Sequence, residues 1–260
     1  MALAPNPAQN LTLGKGVLYF DVKDPATGLY LGARDLGNAP DFTLTVTPDK
    51  LSHYSSRGGM KVKDHEIVKE LALGVSFTLD EPNIENLSMT FMAEEESVTQ
   101  AIVTGGSFVI AKPKGGRYYN VGKKKITVTD GTETDTPTTT FVAEVDYTVD
   151  ADNGRIYIVP GGACDDDTIS ITFTYNAAEC TYTQLKALKQ SVVEGRLQFV
   201  SDNPQGGNQS LEIWRTSLIP SGGVGFISDD WINLSYEGEV LKDEIGHPTS
   251  PYMSIDLGLV

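Results

Sequence analysis

Two stretches of the chain alternate apolar and polar residues with a period of two. Phe42, Leu44 and Val46 face one way, and Asp41, Thr43, Thr45 and Thr47 the other. Further on, Ile67, Leu71, Leu73, Val75, Phe77 and Leu79 share a face, interrupted only by Lys69. Glu66, Glu70, Ser76, Thr78 and Asp80 lie opposite. This period marks half-buried antiparallel strands, with one face to a core and one to water. The connection between them, Pro48 to Asp64, is polar and about seventeen residues long, where hairpins use about two to five. Lys50, Arg57, Lys61 and Lys63 surround Gly58-Gly59 in it. A connection of that length and charge is either disordered or has a role, and the role expected is to bind another copy of the same protein.

The same reading places strands at Gly16–Val22, Ser191–Val200, Leu211–Ile219 and Trp231–Val240, and an edge strand in the tail Pro251–Val260. After Thr78 the period lengthens. Asp80 can cap, Pro82 falls in the first turn, and Ile84, Leu87 and Phe91 recur at helical spacing. One amphipathic helix of about three turns is predicted, ending near Glu94–Glu96, with that stripe packed on the outside of the sheet. Residues 105–180 read as a separate module with strands at Ser107–Ala111, Lys125–Thr129, Thr139–Val145, Arg155–Val159 and Thr168–Tyr175. Short strands at about ten-residue spacing predict a small Ig-like sandwich. The fold class is therefore mainly β: an antiparallel β-sandwich or partial barrel with one helix, discontinuous over 1–104 and 181–260, with 105–180 inserted. Residues 1–13, with Pro5, Pro7 and Asn10, read as an arm that stays loose unless something ties it down.

Composition adds limits. The 26 glycines favour turns and short strands, and the net charge of −15 is spread along the chain without a basic face. Tight phosphate binding is not expected. No run approaches the ~20 apolar residues that cross a bilayer, and the N-terminus has no export signal, so no membrane partner is expected. Cys164 and Cys180 flank a predicted strand that holds them too far apart for a disulfide, so both are expected free.

Candidate chemistry is sparse. His53, His65 and His247 have no ligand-spaced neighbour, no nucleophile motif or phosphate-binding glycine loop is present, and no carboxylate is singled out as a base. Asp165-Asp166-Asp167 lacks the spacing of a calcium loop and reads as a solvated turn. Lys123-Lys124-Lys125 reads as a strand lead-in. Trp214 and Trp231, inside alternating strands, read as core or interface residues rather than a sugar platform. No enzyme, cofactor or metal is expected.

The order GVLYFDV, then LGNAPDFTLTVTPDKLSHYSS, then MKVKDHEIVKELALGVSFTLDEPNIENLSMTF resembles the N-terminal half of major tail tube proteins of long-tailed, siphovirus-type bacteriophages, the chi-like ones included. The resemblance spans about residues 14–93. VDYTVDADNGRIYIVPGG resembles a small β module found in several phage tail proteins. The insertion at 105–180 departs from the simplest tube proteins. The resemblance implies a homo-oligomer: hexameric rings that stack into a virion tail tube assembled in the host cytoplasm, each subunit giving about four strands to an inner barrel. Phage DNA passes through without specific binding, and tape-measure and tail-terminator proteins are expected partners. Roughly twenty-four strands at ~4.8 Å spacing and ~40° tilt close at a diameter near 50 Å, wide enough for a duplex. The long loop, with Lys50, Ser55, Ser56, Arg57, Gly58, Gly59, Lys61 and Lys63, would bridge subunits and rings. Glu66, Glu70, Asp80, Glu194, Glu237 and Glu239 are the candidates for an acidic lumen that repels DNA near contact. The rival reading from another class is a glycan-binding or adhesive β-sandwich protein with the 105–180 module as its head; a third is the tube component of a contractile injection system.

Overall fold

A computed structural model describes residues 11–137 and 139–259. In chain order the elements are β1 Gly16–Lys23, β2 Tyr30–Asp35, β3 Asp41–Ser55, β4 Val62–Leu79, α1 Ile84–Thr90, β5 Glu94–Gln100, β6 Val103–Ala111, β7 Tyr118–Asn120, β8 Ile126–Glu133, β9 Tyr147–Asp150, β10 Arg155–Ile158, β11 Ser170–Ala177, β12 Cys180–Lys186, β13 Val193–Ser201, β14 Asn208–Pro220, β15 Leu234–Val240 and β16 Met253–Leu259. The chain divides into two units. One runs to Glu94 and resumes at Leu185; the other is Glu95–Gln184. The inserted unit is thus wider than 105–180, because β5 and β12 pair with each other as a two-stranded ribbon. The expected arm falls largely on residues 1–10, outside the described residues; Leu13 is bridged to Gln205, its N–H donating to that carbonyl at 3.1 Å.

In the first unit eight antiparallel strands form one sheet in the order β2-β1-β13-β14-β15-β4-β3, with β16 added on β14. Alternation dictates the core: Leu18 and Phe20 of β1, Val75, Phe77 and Leu79 of β4, Val193 and Leu197 of β13, and Leu234, Tyr236 and Val240 of β15 all point inward and are buried. β14 changes partner along its length. Its first half pairs with β16 and its second, Thr216–Pro220, with β15, and between them its register against β13 shifts. That split lets the sheet curl over itself. Phe42 of β3 and Phe199 of β13 have three strands between them in the sheet order, yet their rings are 5.5 Å apart. Gly195 of β13 leaves room for the Phe20 ring of neighbouring β1, since a Cβ there would fall 2.4 Å from it.

The helix differs from expectation in length, cap and facing. It has seven residues, and its N-cap is Asn83, whose side chain accepts from the Asn86 N–H at 2.8 Å. Pro82 therefore precedes the cap. Met92, with φ 47°, turns the chain away, and the Glu94–Glu96 run opens β5 instead. Ile84 is exposed, and Leu87 and Phe91 are only half-buried; Asn86, Met89 and Thr90 face inward. The polar residues turn in because they satisfy buried groups. Asn86 Nδ2 donates to the carbonyls of Leu36 and Glu81, both at 2.9 Å. Tyr236 Oη donates to the Asn86 carbonyl at 2.8 Å and lies 2.6 Å from Thr90 Oγ1. The helix thus packs over the core side of β15, opposite Ser235, Glu237 and Glu239.

The inserted unit has its own core between two three-stranded sheets, β7-β10-β9 and β6-β11-β8. Ile156 and Ile158 face Ile171 and Phe173 across it, with Tyr147 edge-on to Phe173 at 4.9 Å. The strand expected at Thr139–Val145 is absent. That segment buries Phe141 but exposes Val142 and Val145. The Asp146 carboxylate folds it into a turn by accepting from Val142 N and Ala163 N, each at 2.8 Å. β5, β7, β9 and β12 were not read from the sequence; β7 and β9 are too short to show a period. Lys123-Lys124-Lys125 leads into β8, where buried Gln100 grips Lys124 through its N–H (2.9 Å) and carbonyl (2.7 Å).

Two measurements test these arrangements. Tyr236→Phe removes the hydroxyl that joins helix to sheet and should cost about 1–2 kcal/mol in urea unfolding; an unchanged midpoint would mean the buried network contributes nothing. Both cysteines are free, Cys164 fully buried and Cys180 partly so. Burial pushes the Cys164 thiol up to about 12. Folding therefore favours its protonated form, and that contribution is present at neutral pH and fades as pH rises past the ordinary thiol range. At pH 8 a thiol-reactive dye should label Cys180 in the native protein and reach Cys164 only after denaturation; rapid labelling of Cys164 would contradict its burial.

Candidate functional site

The segment read as a long loop is a β-arm. β3 and β4 stay paired from Asp41↔Thr78 out to Ser55↔Val62, so the connection is only residues 56–61. Lys50 and Ser55 lie in β3 and Lys63 in β4; Ser56, Arg57, Gly58, Gly59 and Lys61 form the tip, where Gly58 takes φ 115°. β15 covers only Gly74–Leu79 of β4. The remainder of the hairpin extends beyond the core, and every residue of β4 from Val62 to Leu71 is exposed. Pro48 is compatible with β3 because β3 is the edge strand of the sheet.

Two bulges in the arm change which side chains share a face. Lys69 is unpaired between Asp49↔Glu70 and Lys50↔Val68, and Asp64 between His53↔His65 and Tyr54↔Lys63. Each extra residue reverses the alternation. Val68 and Glu66, not Ile67, therefore continue the face of Leu71–Leu79. Glu66 sits there between two cations, 3.1 Å from Lys50 and in contact with Lys63. Ile67 moves to the other face with Leu51 and Val62. The arm is thus apolar on one face near the core and on the opposite face toward the tip. Near the core, Leu44, Val46, Leu71 and Leu73 meet Tyr252, Met253 and Ile255 of the β16 region around an open apolar trough of about 390 Å³.

The six candidate carboxylates separate. Cross-strand register places Glu194, Ser217, Glu239, Gly74 and Thr45 in one row, and Ile219, Glu237, Ser76 and Thr43 in the next. Thr45, Gly74, Ser76 and Ile219 of these rows line an open trough of about 450 Å³ bordered by Glu237 and Glu239. Both are exposed, and neither has an ion-pair partner among the described residues. Glu194 is half-buried and paired with Arg215 at 3.1 Å and Lys23 at 3.7 Å. Glu70 lies on the same face, farther along β4. Two depart from it: Glu66 through the Lys69 bulge, and Asp80 because β4 ends at Leu79 and the carboxylate accepts from Asn38 Nδ2 at 2.6 Å.

Other candidates are occupied locally. Asp165 accepts from Gly115 N at 2.7 Å and Gly161 N at 2.9 Å, a clasp between loops that holds its carboxyl below the usual range. No group of three or more metal-ligating side chains occurs among the described residues. Trp214 stacks on His247 with centroids 3.6 Å apart and donates Nε1–H to the Ser250 carbonyl at 2.8 Å. Trp231 precedes β15 in a loop and is 87% exposed, not inside a strand. Among the described residues no helix is long and apolar enough to cross a membrane. Sequence reasoning missed the exposed loop of Phe226, Ile227 and Trp231; its only signal was glycine-rich SGGVGF beside isolated apolar residues.

A family model described as protein of unknown function UCP028589 matches residues 11–256, and the chain belongs to that family. No curated protein matches it.

Glu237 and Glu239 are like charges on one face with no nearby cation to lose, so replacing both by Gln should leave the urea midpoint unchanged or slightly higher. A lower midpoint would show that these carboxylates hold the fold together.

Proposed function

We propose that this chain is a self-assembling structural subunit whose rings stack into a tube, the tail tube of a long-tailed bacteriophage. The observation that carries the reading is the arm. A two-stranded hairpin alone is marginal in water, yet this one carries Val46, Leu51, Met60, Val62, Val68 and Leu71 open to solvent at 52–79%. Large exposed apolar surface on an extended element is stabilised when another molecule covers it. The sheet also keeps free edges, β3 among them, which side-by-side pairing with sister copies would satisfy.

The opposite surface suits a conduit. The face of Thr43, Thr45, Ser76, Thr78, Ser217, Ser235, Glu237 and Glu239 is hydroxyl-rich and acidic, and it lies away from the helix. Turned inward in a ring, it would repel DNA phosphates at close range, while Arg215 and Lys23 beside it are already engaged by Glu194. The inserted unit keeps a separate core. Tape-measure and terminator proteins are the corresponding partners inside and at the end of such a tube.

Negative-stain microscopy of purified protein at rising concentration should show tubes of uniform width. Replacing Ser56–Lys61 by Asn-Gly would close the hairpin directly after Ser55↔Val62 with a two-residue turn. That variant should keep its thermal midpoint and form no tubes. Dispersed monomers from the unaltered protein at every concentration would refute the reading, and normal tubes from the shortened variant would remove the tip from the connection.

A further inference from the structure

The connection between β14 and β15, residues 221–233, is the second exposed apolar element of the first unit. It is anchored: Val224 and Ile232 pack against the core, and Phe226 stacks on Phe91 with centroids 6.1 Å apart. Ser228 Oγ closes a turn, accepting from Asp230 N at 2.9 Å and donating to Asp230 O at 2.8 Å. So held, the loop presents Ile227 and Trp231 at 99% and 87% exposure, with Asp229 and Asp230 between them. Neither carboxylate has an ion-pair partner among the described residues. The loop with Ile245, also 99% exposed, differs here: Glu244 pairs with Lys242, and Asp243 with His247 at 3.0 Å.

The arm tip has the complementary character. Met60, Val62, Leu51 and Ile67 are exposed there. Arg57 and Lys61 project from the tip with no ion-pair partner among the described residues, whereas Lys50 and Lys63 are engaged by Glu66. In a chain of net charge −15, free cations beside apolar residues form a distinctive patch.

Register puts the two elements at opposite ends of one strand. Leu234, next to the loop, pairs with Leu79 at one end of β4; the tip joins the other end at Val62. β4 has 18 residues, so at ~3.3 Å per residue they are on the order of 55 Å apart. No copy can bring its own loop to its own arm.

We propose that the arm tip of one copy docks on the 221–233 loop of a second copy, with Met60 and Val62 against Ile227 and Trp231, and Arg57 and Lys61 against Asp229 and Asp230. This rests on the self-assembly reading and names the surface the arm meets. The two patches differ and lie at opposite ends, so the contact is heterologous and repeats from copy to copy along the strand direction, as stacking requires. Its exposed ion pairs are screened over about 8–10 Å, so added salt weakens it.

Charge reversal in two separately purified variants tests it. Asp229→Lys with Asp230→Lys gives a copy with two cationic patches, and Arg57→Glu with Lys61→Glu a copy with two anionic ones. Each variant alone should need at least tenfold more protein than the unaltered chain to form tubes, while an equimolar mixture should assemble near the original concentration, because every contact then joins opposite charges. Circular dichroism melts confirm that both variants are folded. If the unaltered chain assembles but either variant assembles equally well, or the folded mixture does not recover, this docking is wrong and the self-assembly reading stands. If the unaltered chain never assembles, both fall.

Discussion

β4 is eighteen residues long, and β15 supports only its last six, Gly74–Leu79. That mismatch governs the rest of the first unit. Within the supported part, Val75, Phe77 and Leu79 close the core with Leu234 and Tyr236, and the Phe77 and Tyr236 rings stack at 5.0 Å. Beyond it, among the described residues only β3 pairs with β4, and two strands cannot bury both of their faces. The hairpin therefore leaves the body with its apolar residues uncovered. The bulges at Lys69 and Asp64 determine which face those residues occupy at each distance from the core.

The polar contacts inside the core serve placement more than cohesion. Asn86, Thr90 and Tyr236 tie the short helix to β15 and to the carbonyls of Leu36 and Glu81. A helix of two turns has little stability of its own, so these bonds decide where it lies. Because it covers the core side of β15, the opposite side is left to Ser235, Glu237 and Glu239. The outward carboxylates and the helix are thus two consequences of one strand's alternation.

The inserted unit needs no support from the rest of the chain for its core. Ile110, Ile126, Ile156, Ile158, Ile171 and Phe173 are buried among themselves, and the chain enters and leaves through one paired ribbon, β5 and β12. Paired entry and exit strands bring the two junctions together, which is why an insertion there leaves the surrounding sheet continuous.

Alternation along the sequence by itself determined the main strands: Leu18 and Phe20, Phe42 to Val46, Leu71 to Leu79, and Leu234 to Val240 each show a period of two that only half-buried strands satisfy. The acidic balance of the chain was equally legible, because composition does not depend on the fold. Tertiary structure decided the rest. A bulge is an unpaired residue relative to a partner strand, so nothing within β4 alone could show that Glu66 and Ile67 exchange faces. Ile84 looked inward by spacing, but Asn86 and Thr90 won the buried side because distant carbonyls and the Tyr236 hydroxyl needed partners. Thr139–Val145 had the composition of a strand, and one buried carboxylate, Asp146, folded it into a turn. The pairing of an acidic loop with a basic arm at opposite ends of β4 depends on cross-strand register, which exists only once the chain has folded.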